Sequence, residues 1–275
     1  MLFLERTPRA PLNRFVRMLW YTKAPEVAAG RERILPNGCV QVIVNLARDY
    51  LLDCSEGQPD RAMAPALVVG CRSVYEIVDR SDMADLIGVV FEPGGFAALA
   101  ADSADRFANQ SIPLEDLWVG QASCLRERLQ QASTPEARFQ YLEDFLLERF
   151  VACEAKLNSP RQQIVEFALS RFRLHPSMSS VNAVARSTGW SERRFSQIFR
   201  EQVGFSPKLW CRIERFQRAV RQIHKGADVA WAELALDCGF YDQSHFANEF
   251  RAFSGVDATT YSARRTQWKN HISVG

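Results

Sequence analysis

Between Val181 and Ser262 the sequence states one pattern twice. Phe195, Phe199, Arg200 and Gly204 are matched by Phe246, Phe250, Arg251 and Gly255, each 51 residues further on. A short apolar stretch ending in glycine precedes each group, Ala185 to Gly189 and Ala235 to Gly239, here 50 residues apart, so a one-residue slip falls inside the turn. A repeat of this size means one supersecondary unit used twice. Whatever else the chain does, it must place two copies of that unit.

Each copy reads as two helices joined by a tight turn. In the first, Val181, Val184 and Ala185 share a face of a short helix, Gly189 makes the turn, and Ser191 is placed to accept from the backbone N–H groups that open the next helix. On that second helix Phe195, Ile198 and Phe199 recur at the spacing that buries one stripe, with Gln202 or Val203 continuing it. Arg193, Arg194, Ser196, Gln197 and Arg200 are left outside. The second copy repeats the logic, with Leu234 and Ala235 on the first helix, Gly239 at the turn and Asp242 as the cap. Phe246, Ala247 and Phe250 then face inward, and Gln243, Ser244, His245, Asn248 and Arg251 lie outside or at the margin.

Such a pair sets its second helix in a major groove, where Arg reads guanine, Asn or Gln reads adenine, and hydroxyls read either. Base contacts are therefore expected from Arg193, Ser196, Gln197, Ser244 and Asn248, and phosphate contacts from Arg194, Arg200 and Arg251, with Gln243 on the same surface. For His245, beside Phe246, a backbone contact to DNA and a packed structural role are both open.

Between the copies, Leu209, Trp210, Ile213, Phe216, Ala219, Val220 and Ile223 keep helical spacing from Ser206 to about Ile223, and Pro207 suits the first turn. Such a helix is roughly 25 Å long, enough to hold two reading heads near the ~34 Å separation of successive major grooves. Arg212, Arg215, Arg218 and Arg221 follow along it three apart, divided between phosphate, water and Glu214.

The run Ser191-Glu-Arg-Arg-Phe-Ser-Gln-Ile-Phe-Arg200, then Gly204-Phe-Ser-Pro207, and finally Gly239-Phe-Tyr-Asp-Gln-Ser-His-Phe-Ala-Asn-Glu-Phe250 resembles the DNA-binding module of AraC/XylS-type transcription regulators. It covers the last two-fifths of the chain. The departure is at the close of the second copy, where Gly255-Val-Asp-Ala258 and Tyr261-Ser262 stand in place of a Gly-x-Ser-Pro turn and an aromatic-Arg pair. The resemblance implies double-stranded DNA as partner and an amino-terminal half that senses a small-molecule effector or makes a homodimer. It implies no cofactor and no enzymatic role.

Charge agrees with that division. Residues 161–275 carry 17 Lys or Arg against 10 Asp or Glu, and residues 1–159 carry 17 against 22, so the basic surface lies where the repeat is. The chain length of 275 allows two domains. The division is placed near Ser159: residues 1–158 as a sensing or dimerisation domain, β-rich to about 91 and helical over 96–150, and 159–266 as the DNA-binding domain with helix-turn-helix units at about 179–203 and 230–254. Asn158-Ser159-Pro160 is read as capping a helix to about Phe172, and His175-Pro176 as breaking it.

In the amino-terminal half, strands are expected at Phe15 to Tyr21, Ile34-Leu35, Cys39 to Leu46, Tyr50 to Cys54, Ala66 to Val69, Val74 to Val78 and Leu86 to Phe91. Short strands at this spacing suggest a small antiparallel barrel or sandwich, similar to the cupin-like sensor domains of the family, and Leu35-Pro-Asn-Gly38 and Phe91-Glu-Pro-Gly-Gly95 look like loops of such halves. Helices are expected at Phe96 to Ala101, Leu114 to Val119, Gln121 to Gln131 and Pro135 to Phe150. The last carries a stripe from Phe139 to Phe150 read as core and secondarily as a dimer contact. The whole is an α+β chain: a small sheet domain, helices, then an all-α module.

Seven cysteines, none in a C-x-x-C pair, argue against a disulfide framework and structural zinc. All four histidines lie beyond residue 174, which excludes a histidine-based metal centre or a histidine base in the sheet domain. With no apolar run long enough to span a bilayer and no signal-like cleavage pattern, a reducing cytoplasm and no membrane partner are expected. Two rival functions remain at this stage. One is a thiol acceptor on damaged DNA, with Cys39 or Cys71 as nucleophile; the other is a non-specific architectural DNA binder. Cys39, between Gly38 and Val40, reads as a buried hydrophobe, Cys71 beside Arg72 as the least unlikely sensor, and Glu92 as either a ligand contact or an arginine partner.

Overall fold

A computed structural model describes residues 2–24, 29–55, 57–100, 102–157, 159–174, 180–226 and 229–274. The amino-terminal half is built on β-strands β1 (Leu2–Arg6), β2 (Val16–Lys23), β3 (Arg31–Ile34), β4 (Gln41–Asn45), β5 (Leu51–Asp53), β6 (Arg61–Met63), β7 (Ala66–Val69), β8 (Glu76–Asp79), β9 (Asp85–Phe91) and β10 (Ser111–Pro113). Helix α1 (Gly95–Ala100) follows β9, and α2 (Leu114–Leu117), α3 (Ala122–Gln131) and α4 (Pro135–Leu157) follow β10. The expected Ala66–Val69 strand is found with those bounds. Strands β1, β6 and β10, which are short or polar, were not anticipated.

Six strands form one antiparallel sheet in the order β1-β2-β9-β4-β7-β10. Its centre, β9, pairs with β2 on one side and β4 on the other, and from Leu86 to Phe91 it is buried throughout, which is why that stretch reads as a continuous apolar run rather than an alternation. The expected barrel is not closed. Closure would need β1 to pair with β10, but β10 is three residues long and ends at Pro113, which leads straight into α2. Helices cover the sheet instead: Phe139, Leu142 and Leu146 of α4 and Leu125 and Leu129 of α3 share one buried cluster with Leu19, Val42, Val68, Ile87 and Val89. Each such side chain contributes about 1.5–3 kcal/mol by leaving water. The Phe139 stripe on α4 is therefore core, and the helix runs on past its expected end at Phe150.

The carboxy-terminal half follows as α5 (Pro160–Leu174), α6 (Val181–Ser187), α7 (Glu192–Val203), α8 (Pro207–Lys225), α9 (Trp231–Asp237), α10 (Gln243–Ser254) and α11 (Ala258–Arg264). The His175-Pro176 break, Asn158 and Ala101 lie outside the described residues. The two helical units do not share a core. Phe195, Ile198, Phe199 and Val203 of α7 pack with Val165, Leu169 and Phe172 of α5, with α6, and with Trp210 of α8. Phe246, Phe250 and Phe253 of α10 join Phe216 of α8 in the cluster that continues into the sheet domain.

The chain then returns to its beginning. Strand β11 (His271–Val274) pairs with β3 to make a second sheet, ordered β11-β3-β8, and His271 Nδ1 lies 2.8 Å from Glu32 Oε2. The two loops noted in the sequence are where the halves meet. Pro36 carbonyl accepts from Gln217 Nε2 of α8 at 2.8 Å. Glu92 takes Arg17 in a two-pronged pair at 3.1 Å and Arg173 of α5 at 2.9 Å. Burial alone would raise the Glu92 carboxyl, but hydrogen bonds and charge from those two arginines outweigh it and hold it below its ordinary range. Of its two readings, Glu92 is the arginine partner.

A candidate nucleic-acid interface on two reading helices

Local chemistry builds the two units alike. Ser191 Oγ accepts from Arg194 N at the start of α7, and Asp242 from His245 N at 2.7 Å at the start of α10. Each satisfies a donor that the first helical turn leaves without a partner. Each helix ends on a glycine in the left-handed region, Gly204 at φ +100° and Gly255 at φ +71°, where a Cβ would be strained. The apolar stripe of α7 is buried as expected, and so is that of α10, apart from Ala247, which is exposed.

Opposite the stripes lie the residues singled out above. Arg193, Arg194, Gln197 and Arg200 on α7, and Gln243, Ser244, Asn248 and Arg251 on α10, are exposed; Ser196 and His245 are half-buried. Several are held from the side. Arg194 lies 4.9 Å over the Trp190 ring, Gln197 donates to Glu201 at 2.8 Å, and Arg200 reaches Asp105 at 3.2 Å, a carboxylate of the amino-terminal half. Arg251 lies 4.0 Å from Asp257. His245 takes the packed, hydrogen-bonded role of its two readings. Its Nδ1 accepts from Tyr241 N at 3.3 Å and its ring meets Phe240 edge-on, which puts the proton of the neutral imidazole on Nε2.

Two further residues belong to this surface. Arg161 of α5 lines an open hollow of about 350 Å³ with Arg193, Arg194, Gln197 and Glu201, bringing a third guanidinium beside the start of α7. Tyr241, just before the Asp242 cap, is 85% exposed. Nothing in the repeat marks Arg161, since it sits on a helix outside it. Tyr241 stands inside the quoted signature and could have been read from its place next to the cap.

Of the arginines of α8, Arg221 meets Glu214 at 2.8 Å as expected, and the others have protein partners that the sequence did not name. Arg212 pairs with Glu249, Arg218 donates to the Arg173 carbonyl, and Arg215 lies 5.8 Å over Phe240, its charge disfavoured mainly by burial. This helix is more than a spacer, because Gln217 and Ile213 press it against the amino-terminal loops.

Thiol chemistry fits poorly. Cys39 and Cys71 are buried, and burial pushes both thiols up, opposite to what a nucleophile needs. Cys71, the least unlikely sensor by sequence, spends its Sγ on the Val203 carbonyl at 3.1 Å. Among the described residues no group of three or more His, Cys, Asp or Glu is arranged to hold a metal, and no helix is long and apolar enough to cross a membrane.

Residues 184–264 match a family described as a helix-turn-helix domain, and residues 4–113 one described as a domain of unknown function, DUF6597. The Arabinose operon regulatory protein of Escherichia coli (strain K12) is 27% identical over 135 residues, 48% of this chain and 46% of that protein. Its namesake in Salmonella typhimurium is 27% identical over 124 residues, 44% of each. The chain thus spans about half the length of the curated relatives it matches. Among solved structures, unsaturated fatty acid bound ToxT from Vibrio cholerae strain SCE256 has 12% identity and a TM-score of 0.45 over 94% of both chains. A regulator from Chromobacterium violaceum with an AraC-type DNA-binding domain has 23% identity and a TM-score of 0.35, covering 40% of this chain and 98% of that one. A single helix-turn-helix is common to many DNA-binding chains; here two stand in tandem on one long helix, and residues 184–264, which carry them, match a helix-turn-helix family, in a chain similar to two arabinose regulators over about half their length.

Proposed function

We propose that the chain is a sequence-specific, DNA-binding transcription regulator in which α7 and α10 enter adjacent major-groove segments. Residues 159–266 carry the DNA contacts, and residues 1–158 answer to a small-molecule effector or pair two copies. It acts by binding and release, with no covalent step. The observation that carries this reading is that each reading helix buries a phenylalanine stripe and leaves Arg, Gln, Ser or Asn on its outer side. Arg193, Ser196, Gln197, Ser244 and Asn248 take base edges; Arg194, Arg200 and Arg251 take phosphates, with Gln243 and His245 alongside.

The test is selection of duplexes from a randomised pool by the full chain, followed by footprinting. Two protected segments about one helical turn apart are expected. Arg193→Ala should cost about 1–3 kcal/mol on the selected duplex and relax preference at one base. A uniform loss over all sequences would remove Arg193 from the base-reading set, and equal competition by random duplex would replace the proposal with architectural binding.

A further inference from the structure

The loop from Gly70 to Tyr75, between β7 and β8, touches the far ends of both reading helices. At one end Cys71 Sγ donates to the Val203 carbonyl at 3.1 Å, and a Cβ built on Gly204 would lie 3.1 Å from the same sulfur. Four residues on, Tyr75 N donates to the Phe253 carbonyl at 3.0 Å, and a Cβ on Gly255 would lie 2.3 Å from Tyr75 Cε1. Val203 and Phe253 lie in the last turns of α7 and α10, where carbonyls lack partners within the helix. Arg33 stacks 4.5 Å over the Tyr75 ring. One short loop thus meets the two C-cap glycines that the repeat places 51 residues apart.

The loop is stiff. Cys71 carbonyl accepts from Asn109 N at 2.8 Å, Asn109 Oδ1 accepts from Ser73 N at 2.7 Å, and Arg72 pairs with Glu76 at 3.0 Å. It also stands clear of the first two turns of each helix. Its contacts are at the C-terminal ends of α7 and α10, whereas Arg193, Gln197, Gln243, Ser244 and Asn248 lie in the first two turns and are exposed. Helix α8 joins the two units as well, but through separate cores, Trp210 in one and Phe216 in the other.

We propose that the Gly70–Tyr75 loop is a brace that sets α7 relative to α10, so that the sheet domain helps choose the spacing between the two DNA segments. Cys71 and Tyr75 are positioning residues that touch no DNA. The proposal rests on the reading of α7 and α10 as DNA-reading helices, and its test separates the two.

The probes are duplexes selected from a randomised pool by the wild-type chain, and the same duplexes with one base pair inserted between the two footprinted segments. The insertion moves the second segment by ~3.4 Å and turns it by about 34°. Wild type should lose about 10-fold or more in affinity for the lengthened duplex. Tyr75→Ala should shrink that loss to about 3-fold or less while weakening binding to the original duplex, and Tyr75→Phe should behave as wild type. Cys71→Ala, a small apolar replacement at a buried site, should shift the spacing preference in the same direction, with thermal melting confirming that it is folded. An unchanged spacing penalty in folded Tyr75→Ala or Cys71→Ala would leave α8 as the sole determinant and overturn the brace. Tighter binding to both duplexes would overturn it too, by making the loop an inhibitor. If wild type protects one segment only, the two-headed reading itself falls, and the brace with it.

Discussion

Arg212 of α8 holds Glu249 of α10 through two parallel bonds, Nε to Oε2 at 2.8 Å and Nη2 to Oε1 at 2.7 Å. The pair ties the second reading helix to the long helix beneath it, on the flank of the Phe216–Phe250 contact. The Arg212 hydrogen bonds are the main cause that holds the Glu249 carboxyl below its ordinary value, with burial opposing them and the charges of Arg212, His245 and Arg215 adding to them.

A group lowered on folding stabilises above its unfolded value, near about 4.3, and that contribution is lost as pH falls through the lower folded value. Glu249→Gln should therefore cost about 1 kcal/mol at neutral pH, a figure reduced because Arg212 is partly exposed. The difference from wild type should narrow steadily below about pH 4.3. Denaturant unfolding at several pH values reads this; a gap that widened on acidification would contradict the assignment.

Gly189 and Gly204 both have positive φ, +76° and +100°, yet their surroundings differ. Nothing lies within 4 Å of a Cβ on Gly189, whereas one on Gly204 meets Cys71 Sγ at 3.1 Å. Gly189→Ala should cost only the left-handed backbone strain, about 1–2 kcal/mol. Gly204→Ala should cost more, and part of the excess should vanish in a Cys71→Ala background. Thermal or denaturant melting of the four variants checks the coupling, and additive losses would count against it.

The Arg200–Asp105 pair spends a candidate phosphate contact on the amino-terminal half at 3.2 Å. Asp105→Asn should free that guanidinium for DNA. The slope of log K against log salt should then steepen by about 0.9, with a few-fold gain in affinity at low salt. Titrations of a selected duplex over a range of salt concentrations measure it; an unchanged slope would show that Arg200 contacts no phosphate.

The helical module was largely legible in the order of residues because its signals are local. Capping by Ser191, Ser206 and Asp242, the turns at Gly189 and Gly239, and the buried stripes of α7 and α8 each depend on residues within one or two turns. The candidate reading residues follow from the same stripes by elimination. The sheet domain was legible only as separate strands. Its open edges, and the short β10 that leaves it open, depend on which strands meet, and strand texture does not carry that.

By itself, then, the sequence determined that two glycine-hinged helix pairs exist, where their second helices are capped, and, Ala247 apart, which residues those helices turn outward. Tertiary structure alone decided what those outward residues meet and how the halves are joined. Arg200 finds Asp105, Cys71 and Tyr75 find the ends of α7 and α10, and Glu32 finds His271 across 239 positions of chain. The physical reason is distance along the chain: helix periodicity and capping are settled among near neighbours, whereas a charge or a strand edge is satisfied by whatever residue the collapsed core brings beside it.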